Sequence, residues 1–244
     1  MDKKIIAVIP ARYQSSRFPG KPLAMILGKS MIQRVYERVR AVDFFMDVIV
    51  ATDDQRIRQE VERFGGHAVM TGVCNCGTER VYQAVCQTDA EIIINIQGDE
   101  PLIKGEMINE LADIFEDPSV VMATLKKKID NKDEIMRNNI VKVVTDQCGN
   151  ALYFSRSPIP CDRDHAGAVY YKHIGIYGYT KDFLGTYVQL PQTELETIEK
   201  LEQLRVLENG YQIRVKETIY ETFGVDLPEQ ISQVETELRN RDEK

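Results

Sequence analysis

The chain has 244 residues, with 31 Lys and Arg against 38 Asp and Glu, a net charge of −7. Hydrophobic residues make up 43 % and charged residues 28 %, too apolar for a disordered chain and ample for a sizeable core. The acidic balance argues against a nucleic-acid module, no apolar run approaches the ~20 residues of a membrane span, and five scattered cysteines fit reduced thiols better than a secreted disulfide framework.

Residues 5–9 form a continuous apolar run, as a strand buried on both faces does. The run is too short for a secretory signal and no small-residue cleavage site follows it. Residues 10–29 are rich in Pro, Gly, Ser and Arg and predict a loop. A helix follows, with Ser30 as cap, Gln33 at the capping-box position, and Met31, Val35, Val39 and Val42 at helical spacing. Residues 47–51 predict a second strand. Asp53 or Asp54 caps the next helix, which presents Ile57, Val61 and Phe64 and ends at Gly65-Gly66. Residues 67–71 predict a short strand, and Thr78 opens a helix through Val81 and Val85. Residues 92–96 predict the strongest strand, and residues 105–115 an amphipathic helix that stops before Pro118.

From residue 119 the pattern changes. Residues 120–129, 140–145, 151–155 and 170–179 predict strands, with residues 146–150 as a turn. One helix is predicted from Leu195, Ile198, Leu201 and Leu204, then a strand near residues 211–219 and a C-terminal helix after Pro228. The alternation of strand and helix predicts an α/β fold with a mostly parallel central sheet. No linker separates independent domains, so residues 1–244 read as a single domain. Within it, a parallel part at about 1–118 leads into an antiparallel segment at about 119–180.

The loop Pro10-Ala11-Arg12-Tyr13-Gln14-Ser15-Ser16-Arg17-Phe18-Pro19-Gly20-Lys21-Pro22-Leu23 places Arg12, Arg17 and Lys21 at the carboxyl end of a buried strand. Open α/β sheets bind ligands there. Arg forks and a Lys point charge suit a polyphosphate, and Ser15, Ser16 and Gly20 let backbone N–H groups approach its oxygens. The bland alternative is a solvated loop. Gly28-Lys29-Ser30 mimics the end of a P-loop, but Leu23 stands where that motif needs Gly, and no GxGxxG fingerprint is present.

Gln97-Gly98-Asp99-Glu100-Pro101 follows the strongest strand, and a carboxylate there suits Mg²⁺ shared with phosphate oxygens. Asp226, in Phe223-Gly224-Val225-Asp226-Leu227-Pro228-Glu229, has two readings: a second metal carboxylate, or a helix cap paired with Glu229. Cys74-Asn75-Cys76 lacks the second pair or spaced His of a zinc site. In the tyrosine-rich strand, Tyr171, His173, Gly175, Tyr177 and Tyr179 share one face and Lys172, Ile174, Ile176 and Gly178 the other. Glu196, Glu199 and Glu202 lie on a helix whose acids read as mostly solvent-facing.

These residues carry a resemblance that runs over almost the whole chain. In order, residues 10–23, Ala51-Thr52-Asp53, Gly77-Thr78-Glu79-Arg80, residues 97–101, Val141-Lys142-Val143-Val144, Leu152-Tyr153-Phe154-Ser155-Arg156, residues 173–179 and Leu201-Glu202-Gln203-Leu204-Arg205 resemble the bacterial 3-deoxy-manno-octulosonate (Kdo) cytidylyltransferases. The resemblance implies a Rossmann-like nucleotidyltransferase fold whose antiparallel segment serves dimerisation and sugar binding. It implies a cytoplasmic homodimer that transfers CMP from CTP to the anomeric 2-hydroxyl of Kdo with Mg²⁺, for lipopolysaccharide or capsule synthesis. Catalytic roles are implied for Arg12, Lys21 and Asp99. The nucleotide site would comprise Pro10, Ala11, Arg12, Ser16, Arg17, Lys21, Gly77, Thr78, Arg80 and Gln97. The sugar pocket would comprise Arg156, His173, Tyr177, Glu202 and Gln203, with Arg and His offsetting the lost solvation of the sugar carboxylate. Asp99 and Asp226 would hold the metal. No general base stands out.

Four departures bear on the acceptor, one being that the region of residues 161–168, between the sugar-pocket strands, is short. Asn75-Cys76 stands where the family carries a small polar stretch with Ser. Lys126-Lys127-Lys128 replaces a mostly apolar segment, which reads as exposed edge lysines. Leu227 follows Asp226 where Thr is usual. They leave open a different ulosonic acid, such as an amino-Kdo or a sialic-acid-like sugar, and a non-catalytic nucleotide-binding homologue is the reading from another class.

Overall fold

The computed structural model describes residues 3–15 and 17–242, the last two by backbone only. Ser16 therefore lies outside the described residues. The chain divides into two compact units, Met1–Ile108 with Thr222–Lys244, and Asn109–Glu221.

In the first unit, β1 (Ile5–Ala11) is buried along nearly its whole length, as its unbroken apolar run requires. The stretch predicted as loop holds a small hairpin, β2 (Met25–Ile26) and β3 (Lys29–Ser30), turned through Leu27 and Gly28 at positive φ. Gly28-Lys29-Ser30 is thus a turn and a helix cap. The Ser30 side chain accepts from the Gln33 N–H to open α1 (Met31–Arg40). The Gln33 side chain bonds to Glu37 rather than back to the cap, so only half of the predicted capping box forms.

Next come β4 (Phe45–Thr52) and α2 (Gln55–Arg63), capped by Asp54, whose carboxylate accepts from the Arg56 N–H. β5 (His67–Met70), α3 (Gly77–Val85), β6 (Ile92–Asn95) and α4 (Gly105–Asp113) follow. The strands β6, β1, β4 and β5 lie side by side in that order, every pair parallel. The predicted parallel sheet is borne out here, because each strand is followed by a helix that carries the chain back.

The second unit contains β7 (Met122–Lys128), β8 (Lys142–Thr145), β9 (Ala151–Ser155) and β10 (Tyr171–Thr180). Its helices are α5 (Lys181–Tyr187), α6 (Glu194–Glu199) and α7 (Leu204–Glu208), and β11 (Arg214–Glu217) completes its sheet. β10 pairs antiparallel with β7 and β8, and β8 with β9, while β11 adds to β7 in parallel.

Three expectations are corrected in this unit, and one helix is added to them. β7 lies between β10 and β11, and β11 pairs with it as far as Lys126, so the triplet does not begin on an edge, although Lys128 is exposed. Lys126 bonds to Thr145 Oγ1 at 2.7 Å and Lys127 pairs with Asp130 at 3.1 Å. Residues 181–187 are helical, a segment no periodicity marked. The single helix predicted from Leu195 to Leu204 is two, because Lys200 turns into the left-handed region at φ 54° and leaves Ile198 exposed. The acids of that region are not solvent-facing as expected: Glu196 is buried against Arg205, and Glu199 accepts from Ser155 Oγ at 2.6 Å and the Arg156 N–H at 2.9 Å.

The chain then rejoins the first unit through the turn Pro228–Gln230 and α8 (Ile231–Asp242). Val225, Val234 and Leu238 pack on Ile26, Met31 and Leu102 in a buried cluster. Among the described residues, no helix is long and apolar enough to cross a membrane.

Candidate active site

The cationic loop begins where β1 ends. Gly20 takes φ 72° and donates its N–H to the Tyr13 carbonyl at 2.8 Å. A Cβ there would meet the Tyr13 ring at 3.2 Å, so both the fold-back and the close approach need glycine. Lys21 opens the tight turn Lys21–Leu23 immediately after. The loop after β6 comes up beside it, where a Cβ on Gly98 would sit 3.1 Å from the Pro10 carbonyl oxygen.

Asp226 arrives from the far end of the unit. The Val225 N–H donates to the Asp99 carbonyl at 2.9 Å, which fastens residues 223–226 onto the β6 loop. Its predicted capping role is taken instead by Gln230, whose side-chain oxygen accepts from the N–H groups of Asp226 and Leu227 at 2.7 and 2.9 Å. The Asp226 carboxylate is thereby left for cations. Arg17 forks onto it at 3.0 and 3.2 Å, and Lys21 Nζ lies 3.7 Å from it and 2.5 Å from Asp99.

These groups line a cavity of about 250 Å³. Of the residues predicted for the nucleotide, Pro10, Ala11, Arg12, Arg17, Lys21 and Gln97 line it, with Asp99 and Asp226. Pro22 and Gly98 line it as well, unpredicted because their contribution is shape. Arg17 and Lys21 balance the two carboxylates, and Arg12 has no ion pair among the described residues. Glu100 adds no charge at neutral pH. Burial first, then the Asp99 carboxylate, pushes it up to about 8, so it stays protonated.

Gly77, Thr78 and Arg80 are not among the residues lining this cavity. Gly77 and Thr78 start α3. The Arg80 guanidinium is buried and bonds to Asp53 at 2.7 Å and Thr71 Oγ1 at 2.5 Å, which ties α3 to the ends of β4 and β5.

The donor set suits magnesium. Two carboxylates beside a cationic loop match an ion that takes one or two acids plus phosphate oxygens. No group of three or more His, Cys, Asp or Glu that would make a closed protein site is present among the described residues.

The predicted sugar residues all lie in the second unit. Arg156 donates Nε–H to the Glu199 carbonyl at 2.7 Å and its two terminal nitrogens to the Asn138 and Lys200 carbonyls at 3.0 and 3.4 Å. Three of its five N–H groups are thus spent on holding it. One on each terminal nitrogen is left to donate elsewhere. Lys142 fixes the same residue from behind. Fully buried, it donates to the carbonyls of Arg137, Ile140 and Arg156 at 3.1, 2.7 and 2.5 Å. Its signal was a lysine placed among valines in a strand.

The His173 ring meets Phe154 edge-on, at 5.1 Å between ring centroids, and lies tilted against Tyr177 at 5.3 Å. Burial pushes it down to about 3, so it is neutral and Arg156 alone offers the positive charge the sequence assigned to both. Burial, then Tyr179 and Glu202, raises the Tyr177 phenol well above its usual range. Gln203 is buried, and its amide nitrogen has no hydrogen-bond partner among the described residues. Such an orphan costs about 1–3 kcal/mol unless a ligand takes it up. The Glu202 carbonyl accepts weakly from the Tyr187 hydroxyl at 3.4 Å.

Comparison with known proteins places the chain in a family. Residues 6–219 match the family model described as cytidylyltransferase. A 3-deoxy-manno-octulosonate cytidylyltransferase of Syntrophotalea carbinolica is 53 % identical over 96 % of this chain and 98 % of its own. One of Solibacter usitatus is 51 % identical over 96 % and 94 %. The solved structure of CMP:2-keto-3-deoxy-manno-octonic acid synthetase complexed with CTP superposes with a TM-score of 0.93 at 45 % identity, over 98 % of this chain and 99 % of that one. A 4-diphosphocytidyl-2C-methyl-D-erythritol synthase from Anaerococcus prevotii shares the fold alone, with a TM-score of 0.63 at 14 % identity over 97 % and 99 %. The α/β nucleotidyltransferase fold, the ordered motifs and near-complete coverage at about half identity lead to one assignment: the chain belongs to the 3-deoxy-manno-octulosonate cytidylyltransferases.

Proposed function

We propose that the protein transfers CMP from CTP to the anomeric 2-hydroxyl of Kdo, releasing pyrophosphate. The observation that carries the reading is the convergence of Arg12, Lys21, Asp99 and Asp226 on one cavity, in a chain whose relatives bear that activity in their names. The hydroxyl oxygen attacks the α-phosphorus in line, its proton passes to solvent, and the bond to the bridging oxygen of pyrophosphate breaks. Arg12 and Lys21 hold the triphosphate and offset charge that builds on the leaving group. Arg17 assists through the same loop. Arg156 takes the sugar carboxylate on its two remaining N–H groups, and the Gln203 amide supplies a further donor.

Asp99 and Asp226 would hold Mg²⁺. When bound, the ion supplies Lewis-acid stabilisation of phosphate charge and lowers the pKa of a hydroxyl that meets it. The Lys21 contacts to both carboxylates keep that pair from facing each other uncompensated. We further propose that the enzyme works as a cytoplasmic homodimer and that its product feeds lipopolysaccharide or capsule synthesis.

The test is pyrophosphate release over a matrix of nucleotides and sugar acids. CTP with Kdo is expected to give the highest kcat/KM. A higher kcat/KM with an amino-Kdo or a sialic acid moves the acceptor, and CTP binding without turnover of any sugar acid rejects the enzyme reading. Chelation by EDTA is expected to abolish release and Mg²⁺ to restore it. Unchanged turnover in EDTA overturns the metal role of Asp99 and Asp226.

A further inference from the structure

The strand that carries His173 and Tyr177 contains a fault. β10 pairs with β7 in register from Tyr171 opposite Lys128 to Ile174 opposite Leu125, and resumes only at Tyr177 opposite Thr124. At the fault the carbonyls of Ile174 and Ile176 both close on one atom, Thr124 Oγ1, at 3.0 and 2.7 Å. The same oxygen lies 3.0 Å from His173 Nε2. Thr124 is fully buried, so no water competes for it.

A hydroxyl has one proton, and a carbonyl oxygen only accepts. Turning that proton toward His173 would set the hydroxyl's lone pairs against those of both carbonyl oxygens, at 2.7 and 3.0 Å, and leave neither with a proton between. A buried bond left unmade costs about 1–3 kcal/mol. The proton therefore goes to the carbonyls, and the hydroxyl accepts from the ring. Nε2 carries the hydrogen, and in a neutral imidazole Nδ1 is then the acceptor. Nδ1 has no hydrogen-bond partner among the described residues, and His173 is only half-buried.

We propose that Thr124 is a positioning residue that fixes His173 in the Nε2–H tautomer, so that Nδ1 accepts a hydrogen bond from a sugar hydroxyl instead of acting as a cation for the sugar's carboxylate. The sugar half of this rests on the function proposed above. One buried oxygen thus does two tasks: it bridges the fault in β10, and it orients the acceptor lone pair. The carboxylate is left to Arg156.

The test has a spectroscopic and a kinetic arm. Long-range ¹H–¹⁵N correlation resolves which ring nitrogen carries the proton, and with three histidines in the chain the His173 signals are assignable by substitution. The full-length protein is expected to show Nε2–H at His173, and a spectrum showing Nδ1–H or the imidazolium overturns the proposal. Thr124→Ser keeps the hydroxyl and is expected to keep that spectrum, with the KM for the sugar acid within about threefold of wild type. Thr124→Val removes the hydroxyl and is expected to raise that KM about tenfold, with the KM for CTP within about twofold. If Thr124→Val does not fold, the wild-type spectrum and Thr124→Ser still decide. A rise for Ser as large as for Val, or no change for Val, overturns the positioning role. If wild type turns over no sugar acid at all, the function reading fails and the hydroxyl assignment with it, while the spectrum still decides the tautomer.

Discussion

Lys21 faces both acidic residues of the nucleotide cavity, which makes it the residue where phosphate binding and metal binding are linked. Its side chain is 15 % exposed and lies 2.5 Å from Asp99. Lys21→Ala is expected to lower kcat by about 10²–10³, the range for removing one preorganised charge partner of a transition state. It should also weaken CTP binding, both read from pyrophosphate-release kinetics. Asp99→Asn should lower kcat comparably and raise the Mg²⁺ concentration needed for half-maximal rate. A variant with an unchanged Mg²⁺ requirement would remove Asp99 from the metal. His173 gives a pH prediction. Its folded value is pushed from 6.5 down to about 3, so the unfolded chain binds a proton that the folded one does not. That contribution to stability is complete above pH 6.5 and is lost as pH falls from there toward 3. Between pH 7.5 and pH 5 the loss amounts to about 2 kcal/mol or less, and His173→Gln should flatten that part of a denaturation series.

The cationic loop and Asp99 were legible in the sequence because each directly follows a strand end, where α/β sheets place their ligands. Asp226 was ambiguous for a local reason. A short acid before Leu-Pro-Glu has the pattern of a helix cap, and only the structure shows Gln230 taking the cap while Arg17 takes the carboxylate. Arg80 resembled a phosphate ligand, yet its charge is met by Asp53 within the fold. Thr124 and Lys142 gave little signal, since a hydroxyl or an ammonium that serves backbone carbonyls answers to geometry and not to spacing.

Among the elements, the break between α6 and α7 shows where periodicity misleads. Leu195, Ile198, Leu201 and Leu204 repeat as one amphipathic face would, but Lys200 leaves the helical region. The ends are then bound by side chains. Glu196 and Arg205 make a two-point ion pair at 2.8 and 2.6 Å, and Glu208 accepts from the N–H groups of Leu195 and Glu196. Lys200→Gly relieves a left-handed residue and is expected to raise stability by up to about 1 kcal/mol in urea denaturation. Glu196→Ala takes the carboxylate from the largely buried Arg205 and should cost about 3–5 kcal/mol. A loss below about 1 kcal/mol would show that the pair is not what joins the two helices. The sheet was read well where strands are apolar throughout, as in β1 and β6. It was read less well at β7, where lysines suggested an edge although the strand has neighbours on both sides.

For the whole molecule, the net charge of −7 constrains the surface and says little about the cavity, where Arg12, Arg17 and Lys21 stand beside Asp99 and Asp226. The proposed homodimer is checked by sedimentation, with twice the monomer mass expected. The more demanding prediction concerns the first unit, which is built from two separate stretches of chain. Stopping the chain at Glu221 removes Val225, Val234 and Leu238 and strips the cover from Ile26, Met31 and Leu102. At about 1.5–3 kcal/mol per buried aliphatic side chain, the loss rivals the roughly 5–15 kcal/mol that a domain has in hand. Such a chain is expected to show no cooperative thermal transition by circular dichroism.

That interruption also sets a schedule for biosynthesis. The ribosome delivers Arg12, Lys21 and Asp99 early, then spends the 113 residues of the second unit, counted from Asn109 to Glu221, before Asp226 and the apolar side chains of α8 emerge. At roughly 5–20 residues per second, that interval is on the order of ten seconds. During it the nascent chain holds its cations without their second counter-charge and its hydrophobic face without a lid. The growing polypeptide is therefore expected to gain catalytic competence late and abruptly, and to depend most on chaperones just before it does.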